Sequence, residues 1–207
     1  SKRTKLESYL KEIKNMAAKE SKKLSSDDNL SWIKNSESQF CCEIKDFMEC
    51  DEANRLYYRN KNEFSIGFDG KTGAPKVGFN IIDSANNFAT IDMGDSPEDI
   101  LTCPKQSFWI AKALEALIRE TEIPVYDKYK KKGFWRNLVT RQSEKKKEIL
   151  INFVAKKDFY SEDDFEKTIK NEFTQKFADQ ILQINLMKDW KVKGIVFQNL
   201  SGTGDSI

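Results

Sequence analysis

The hydrophobic period of this chain changes at Tyr57, and that change constrains the fold more than any other feature of the sequence. Upstream, Leu6, Tyr9, Leu10, Ile13 and Ala17 recur every three or four residues with Lys and Glu between them, which lines one face of a helix. Ser25, Ser26, Asp27 and Asp28 offer caps for a short second helix carrying Leu30 and Ile33. Downstream the period is two. Tyr58, Phe64, Ile66 and Phe68 share one strand face, and Arg59, Lys61, Glu63 and Ser65 share the other. Asp69-Gly70-Lys71-Thr72-Gly73 supplies a turn, and Val77, Phe79 and Ile81 form the apolar face of a returning strand, so residues 57–82 read as a hairpin.

The rest of the chain alternates between the two periods. A short strand is predicted near 88–93. Pro104 suits the first turn of a helix whose buried stripe is Ile110, Ala113, Leu114, Leu117 and Ile118. Residues 134–141 and 148–155 read as a second antiparallel pair across the charged loop 143–147. Ser161 caps a helix with the stripe Phe165, Ile169, Phe173 and Phe177, and two last strands are expected near 180–187 and 194–199. Hairpins with two interspersed helices predict an α+β fold: a mostly antiparallel sheet, two helices covering one face and the other face left free to bind, preceded by an N-terminal helical arm. The predicted boundary separates an arm, 1–50, from a central domain, 51–207.

Several chemistries are hard to build from these residues. There is no histidine, so the commonest general base is missing. No G-x-G-x-x-G follows a strand and opens a helix, and no P-loop occurs. Asp27-Asp28 and Asp163-Asp164 read as helix caps rather than tuned acid pairs. Cys41, Cys42, Cys50 and Cys103 have no C-x-x-C spacing, and a bridge between adjacent Cys41 and Cys42 would strain the backbone, so reduced thiols in an intracellular protein are expected and no metal site is assigned. No apolar run reaches the length of a membrane span. The 35 basic and 33 acidic residues nearly cancel, so any nucleic-acid contact must come from a local patch. Two stretches interleave cations with aromatic rings: Tyr57-Tyr58-Arg59-Asn60-Lys61 and Lys128-Tyr129-Lys130-Lys131-Lys132-Gly133-Phe134-Trp135-Arg136. Cations attract phosphates and ring faces stack on unpaired bases, so either stretch suits RNA, although on physics alone a plain charged surface is the more common outcome of such a run.

The first stretch also carries a family resemblance. Tyr58-Arg59-Asn60-Lys61-Asn62-Glu63-Phe64, followed by Ile66-Gly67, resembles the Y-R-N-K-x-E-F signature of the eukaryotic-type tRNA (uracil-5-)-methyltransferases. Val77-Gly78-Phe79, the Cys41-Cys42 pair, and Trp135-x-x-Leu138 with Arg141 are similar in order and spacing. The resemblance implies a three-part parent, with an N-terminal region, a central domain that grips RNA and a C-terminal Rossmann-like domain that binds S-adenosyl-L-methionine. It implies a cysteine thiolate adding to C6 of a uracil, methyl transfer to C5, and a glutamate that removes the C5 proton. The target implied is the T-loop uridine of tRNA, bound through the T-arm by a monomer; a ribosomal RNA uridine, a mitochondrial transcript and a non-catalytic RNA-binding or protein-interaction module are the alternatives. A base flipped from its stack fits the chemistry, because C5 and C6 are otherwise shielded. The cofactor loop, nucleophile and base of that family have no counterpart here, so the chain is expected to be a piece lacking the catalytic domain, inactive and cofactor-free by itself. The resemblance carries over Arg59, Lys61, Trp135, Arg136 and Arg141 as RNA-facing residues, and the lysine run adds Lys130, Lys131 and Lys132 as phosphate contacts. Glu63 is expected to partner a neighbouring cation.

Overall fold

The structure, a computed structural model, describes residues 2–20, 37–44, 48–83, 88–121, 123–127, 130–156 and 159–200. The short helix expected around Leu30 and Ile33 lies outside the described residues, as do Lys128 and Tyr129. The chain divides into two compact units, Ser1–Asp51 and Glu52–Ile207. In the first, α1 (Lys2–Glu20) carries an i,i+4 ion pair, Arg3 to Glu7 at 3.0 Å.

The second unit is α+β. Its sheet holds six strands in the order β3-β2-β1-β4-β5-β6. These are β1 (Lys61–Phe68), β2 (Pro75–Asp83), β3 (Phe88–Asp92), β4 (Trp135–Ser143), β5 (Glu148–Ala155) and β6 (Lys191–Asn199). All neighbouring pairs are antiparallel except β5 and β6, which run parallel. A parallel pair needs a long crossover, and the helical segment between β5 and β6 supplies it. The β1–β2 turn forms as its residues dictate: Asp69 Oδ1 accepts the Lys71 and Thr72 N–H groups at 2.8 Å each, and Gly73 takes a φ of 68°.

Helix α2 (Lys105–Glu120) starts at Pro104 and buries Ile110, Leu114, Leu117 and Ile118. It is clamped to β2 by Glu115, whose Oε2 accepts the Val77 N–H at 2.9 Å while Oε1 pairs with Arg119. The second helical segment begins with a short α turn, Glu162–Asp164, capped by Ser161. It continues as a π stretch, Phe165–Phe173, and ends as α3 (Thr174–Leu182). The apolar spacing explains the π stretch. Phe165, Ile169, Phe173, Phe177 and Ile181 are four residues apart throughout, and all five are buried. In a pure α-helix each such step rotates the stripe by about 40°, so five positions would wind off the core. The wider π turn rotates less per residue and keeps the stripe straight.

The strand expected at 180–187 does not form. That stretch is the end of α3 followed by a 3-10 turn, Asn185–Met187. Ile181 and Met187 are buried while Leu182 and Leu186 face solvent, so helical phase overrides the alternation of the apolar residues. The second sheet face is free only in part: Val139 and Val154 lie on it and are 4% and 0% exposed, with Tyr126 and Arg136 buried beside them, whereas Arg141, Leu150 and Val196 on the same face are exposed.

Candidate nucleic-acid interface

The segment leading into β1 is held against the loop that leads into α2. The Tyr57 N–H donates to the Leu101 carbonyl at 2.6 Å, and the Arg59 N–H to the Thr102 carbonyl at 3.3 Å. Tyr57 takes a φ of 56°, a left-handed conformation that a non-glycine residue adopts only when its surroundings hold it there. The outcome is a presented surface: Tyr58 is 63% exposed, and Arg59 and Asn60 are exposed beside it. Lys105, in the first turn of α2, sets its Nζ 5.0 Å from the centre of the Tyr57 ring. Its bond to Glu98, at 2.8 Å, holds that carboxyl down at about 2 and raises the lysine, so both stay charged at neutral pH. A cleft of about 480 Å³ opens between Tyr57, Tyr58, Arg59, Lys105, Gln106 and Gln142.

Strand register brings two further predicted residues to this end of the sheet. Lys61 and Arg141 are directly paired across β1 and β4. Lys61 makes an ion pair with Glu63 at 3.4 Å, which gives Glu63 the cation partner expected of it. Arg141 is exposed and has no ion pair among the described residues. Beneath them lies a buried polar network. Thr140 Oγ1 donates to Ser107 Oγ at 2.8 Å, Ser107 Oγ donates to Gln142 Oε1 at 2.9 Å, and Asn62 Nδ2 reaches Ser107 at 3.4 Å. Asn62, Ser107 and Thr140 are fully buried, so the network ties α2 to β1 and β4 directly under the cationic segment. Sequence reasoning missed it, and Lys105 and Gln142 with it. Its signal was present: Asn62 and Thr140 are polar residues in the alternation slots that face the core.

The second stretch is divided between surface and core. Asp127 and Lys132 are bridged, with the Asp127 N–H bonded to the Lys132 carbonyl at 2.7 Å. Lys130, Lys131 and Lys132 are exposed, and Lys130 pairs with Asp127 at 3.6 Å. Phe134 and Trp135 are 0% exposed. The Trp135 ring lies 4.6 Å from both Phe134 and Phe173 and 5.4 Å from Phe153, centre to centre, so it has no face for a base. The expectation that Trp135 contacts RNA is therefore corrected, and the cause is a β-bulge. With Leu138 facing the core, strict alternation would turn Trp135 outward and Arg136 inward. The register with β5 slips between Trp135 and Asn137, which turns Trp135 inward instead. Arg136 is also corrected as an exposed phosphate ligand. It is 6% exposed, with its guanidinium 4.6 Å over the Tyr126 ring. The structure thus gathers Arg59, Lys61 and Arg141 at one end of β4 and leaves the lysine run beyond the other, roughly 20 Å away at the usual rise per strand residue.

None of the four cysteines is in a disulfide, and burial pushes the Cys103 thiol up to about 12, against the opposing pull of Arg59. Asp69 and Asp92 are held below the ordinary carboxylate range, Asp69 mainly by the turn N–H groups and Asp92 mainly by Lys76. Among the described residues no group of three His, Cys, Asp or Glu side chains is placed to hold a metal, and no helix is long and apolar enough to cross a membrane.

No family model matches the chain. A curated relative, zinc finger CCCH domain-containing protein 24 of Arabidopsis thaliana, is 28% identical over 116 residues. The match takes in 55% of this chain and 14% of the relative's length. The chain has no histidine, so the zinc finger of that name is not contained in it. Among solved structures, the Pyrococcus abyssi tRNA (uracil-54, C5)-methyltransferase in complex with S-adenosyl-L-homocysteine overlaps 52% of this chain and 26% of its own. The sequence identity is 23% and the TM-score 0.39, short of the overlap that establishes a shared fold.

Proposed function

We propose that this chain supplies RNA recognition to a tRNA uridine C5-methyltransferase that uses S-adenosyl-L-methionine, with the methyl transfer carried out by residues outside these 207. One observation carries the reading. Four consecutive residues of the family resemblance, Tyr58, Arg59, Asn60 and Lys61, are presented on the surface, and Arg141 of the same resemblance is the register partner of Lys61. Arg59 and Arg141 hold backbone phosphates through paired hydrogen bonds. Lys61 adds a point charge, and Tyr58 stacks on an unpaired base. Lys105 braces the Tyr57 ring at the cleft wall. The substrate is the T-arm of tRNA, bound by a monomer inside the cell.

Titrating the 207-residue chain with a labelled T-arm hairpin at several salt concentrations tests this. Arg59→Ala and Arg141→Ala each weaken binding and flatten the salt dependence by roughly 0.7–0.9 in the log–log slope, the value of one phosphate contact. Calorimetry of the same chain with S-adenosyl-L-methionine shows no heat of binding. Wild-type affinity and slope in both variants would remove the RNA reading; micromolar cofactor binding would place methyl transfer within this chain.

A further inference from the structure

We infer that the outer edge of β6 is a docking site for an extended peptide with alternate apolar residues and acidic flanks, which adds to the sheet as a seventh strand. The inference does not depend on the RNA reading. β6 ends the strand order, so among the described residues its far side has no strand beside it. Pairing with β5 fixes which backbone groups face that side. The Leu200 N–H bonds to the Ala155 carbonyl at 3.1 Å, so alternation turns the N–H groups of residues 198 and 196 toward β5 and those of Ile195 and Phe197 outward. A row of outward donors and acceptors is a template for another strand.

Two clefts follow one another along this edge, between β6 and the helical segment above it. One, of about 810 Å³, is walled by Ile181, Leu182, Met187 and Trp190. The other, of about 460 Å³, is walled by Phe165 and Phe197. They share Thr174 and Ile195 and so form a continuous trough. Leu182, in its wall, is 72% exposed. A strand hydrogen-bonded to Ile195 and Phe197 would drop alternate side chains into the two clefts in turn, which is how strand addition combines backbone affinity with side-chain specificity.

Charge selects the occupant. Lys191 and Lys193 line the larger cleft and Lys170 the smaller, and no carboxylate lines either. Lys170 pairs with Glu166 at 2.6 Å and Lys193 with Glu148 at 3.7 Å, while Lys191 has no ion pair among the described residues. A second copy of this chain fits poorly. Joining two β6 edges would bring Lys191 and Lys193 of both copies to one seam. The Ile195 and Phe197 side chains needed to fill the opposing clefts are already packed against their own core.

The probe is a fluorescein-labelled ten-residue peptide alternating Val and Thr, with two glutamates at each end, titrated into the 207-residue chain by anisotropy. Two controls accompany it: the same peptide with lysine ends, and one N-methylated at the central amides. The glutamate-ended peptide binds at least about fivefold tighter than the lysine-ended one, and N-methylation removes binding. The Ile195 and Phe197 amides, quick to exchange in the free protein, become protected. Leu182→Glu, at a position exposed enough to keep the fold, weakens the complex about tenfold. Lys191→Glu with Lys193→Glu reverses the preference between the charged ends. Equal binding of all three peptides, unchanged exchange at Ile195 and Phe197, or a dimer in which those amides are already protected overturns the inference.

Discussion

Two stretches of similar composition meet opposite fates in this molecule. Residues 57–61 and 128–136 both interleave cations with aromatic rings, yet the first is displayed and the second is partly swallowed by the core. The difference lies in which aromatics are used and where the strand begins. The first stretch uses tyrosines and ends as β1 starts, so its rings lie before the pleat and are held by the loop at 101–102. The second uses Phe134 and Trp135 at the mouth of β4, where an apolar ring that meets a core is buried in it. A basic–aromatic run is therefore a surface signal only when its rings stand outside the strand that follows.

Truncating the rings separates the two regions most sharply. Trp135→Ala removes a fully buried side chain and loses about 3–5 kcal/mol in urea unfolding. Tyr58→Ala, at a residue 63% exposed, changes stability by no more than about 0.5 kcal/mol. A Trp135→Ala loss below about 1 kcal/mol would mean the indole is not part of the core, and the contrast would collapse.

Gly133→Ala comes next. Gly133 has a φ of 115°, and a Cβ there would lie 2.7 Å from the Tyr126 Cα and against the Val125 carbonyl. We expect a loss of about 1–3 kcal/mol, with Lys131→Ala and Lys132→Ala near zero. That pattern would show that the turn serves to deliver Trp135 to the core rather than to arrange the lysines. Equal, small effects across the three variants would contradict it.

What the sequence disclosed about these regions was mostly local. The Asp69 turn, the Pro104 helix start, the Ser161 cap and the β4–β5 hairpin were legible because short-range chemistry determines them. The bulge at Arg136 was not, because a one-residue slip shows only against the partner strand, and missing it left Trp135 expected at the surface. The parallel β5–β6 pairing was hidden likewise, since the pattern of a strand does not name its neighbour. The site at β1 was half legible. Arg59 and Lys61 stood out by composition, whereas Lys105 and Gln142 join them only through tertiary contact.

The two arginines at matched places in the two stretches give a subtler contrast. Arg59→Ala should weaken hairpin RNA binding by about 1–2 kcal/mol while leaving the melting temperature nearly unchanged. Arg136→Ala should do the reverse. It empties a buried guanidinium from over Tyr126 and costs about 1–2 kcal/mol of stability, with the affinity of the folded protein preserved. Parallel behaviour of the two variants would place both arginines on one surface.

A last contrast uses Cys103 as a reporter beneath the first stretch. The thiol is 1% exposed, and burial raises it from 9.0 to about 12, while the positive charge of Arg59 pulls the other way. In the unfolded chain the thiol ionises near its ordinary value; in the folded protein it stays protonated well above it. A raised value means that stability from this group is intact below 9.0 and is lost as pH rises from there towards about 12, because the unfolded state alone gains by releasing the proton. Tyrosines and lysines titrate in the same window, so the measurement is a difference: urea midpoints of wild type and Cys103→Ala at pH 8 and again near 10.5. The wild type should lose more than the variant over that interval. Arg59→Ala should leave that gap nearly unchanged, because near 10.5 the folded thiol is already almost wholly protonated. No such operation on Trp135 or Lys131 should move it, because neither is among the causes acting on the thiol. If Cys103→Ala and wild type fall in parallel with pH, the thiol is not sealed under the Tyr57 loop, and the platform that presents Tyr58 and Arg59 is looser than its hydrogen bonds imply.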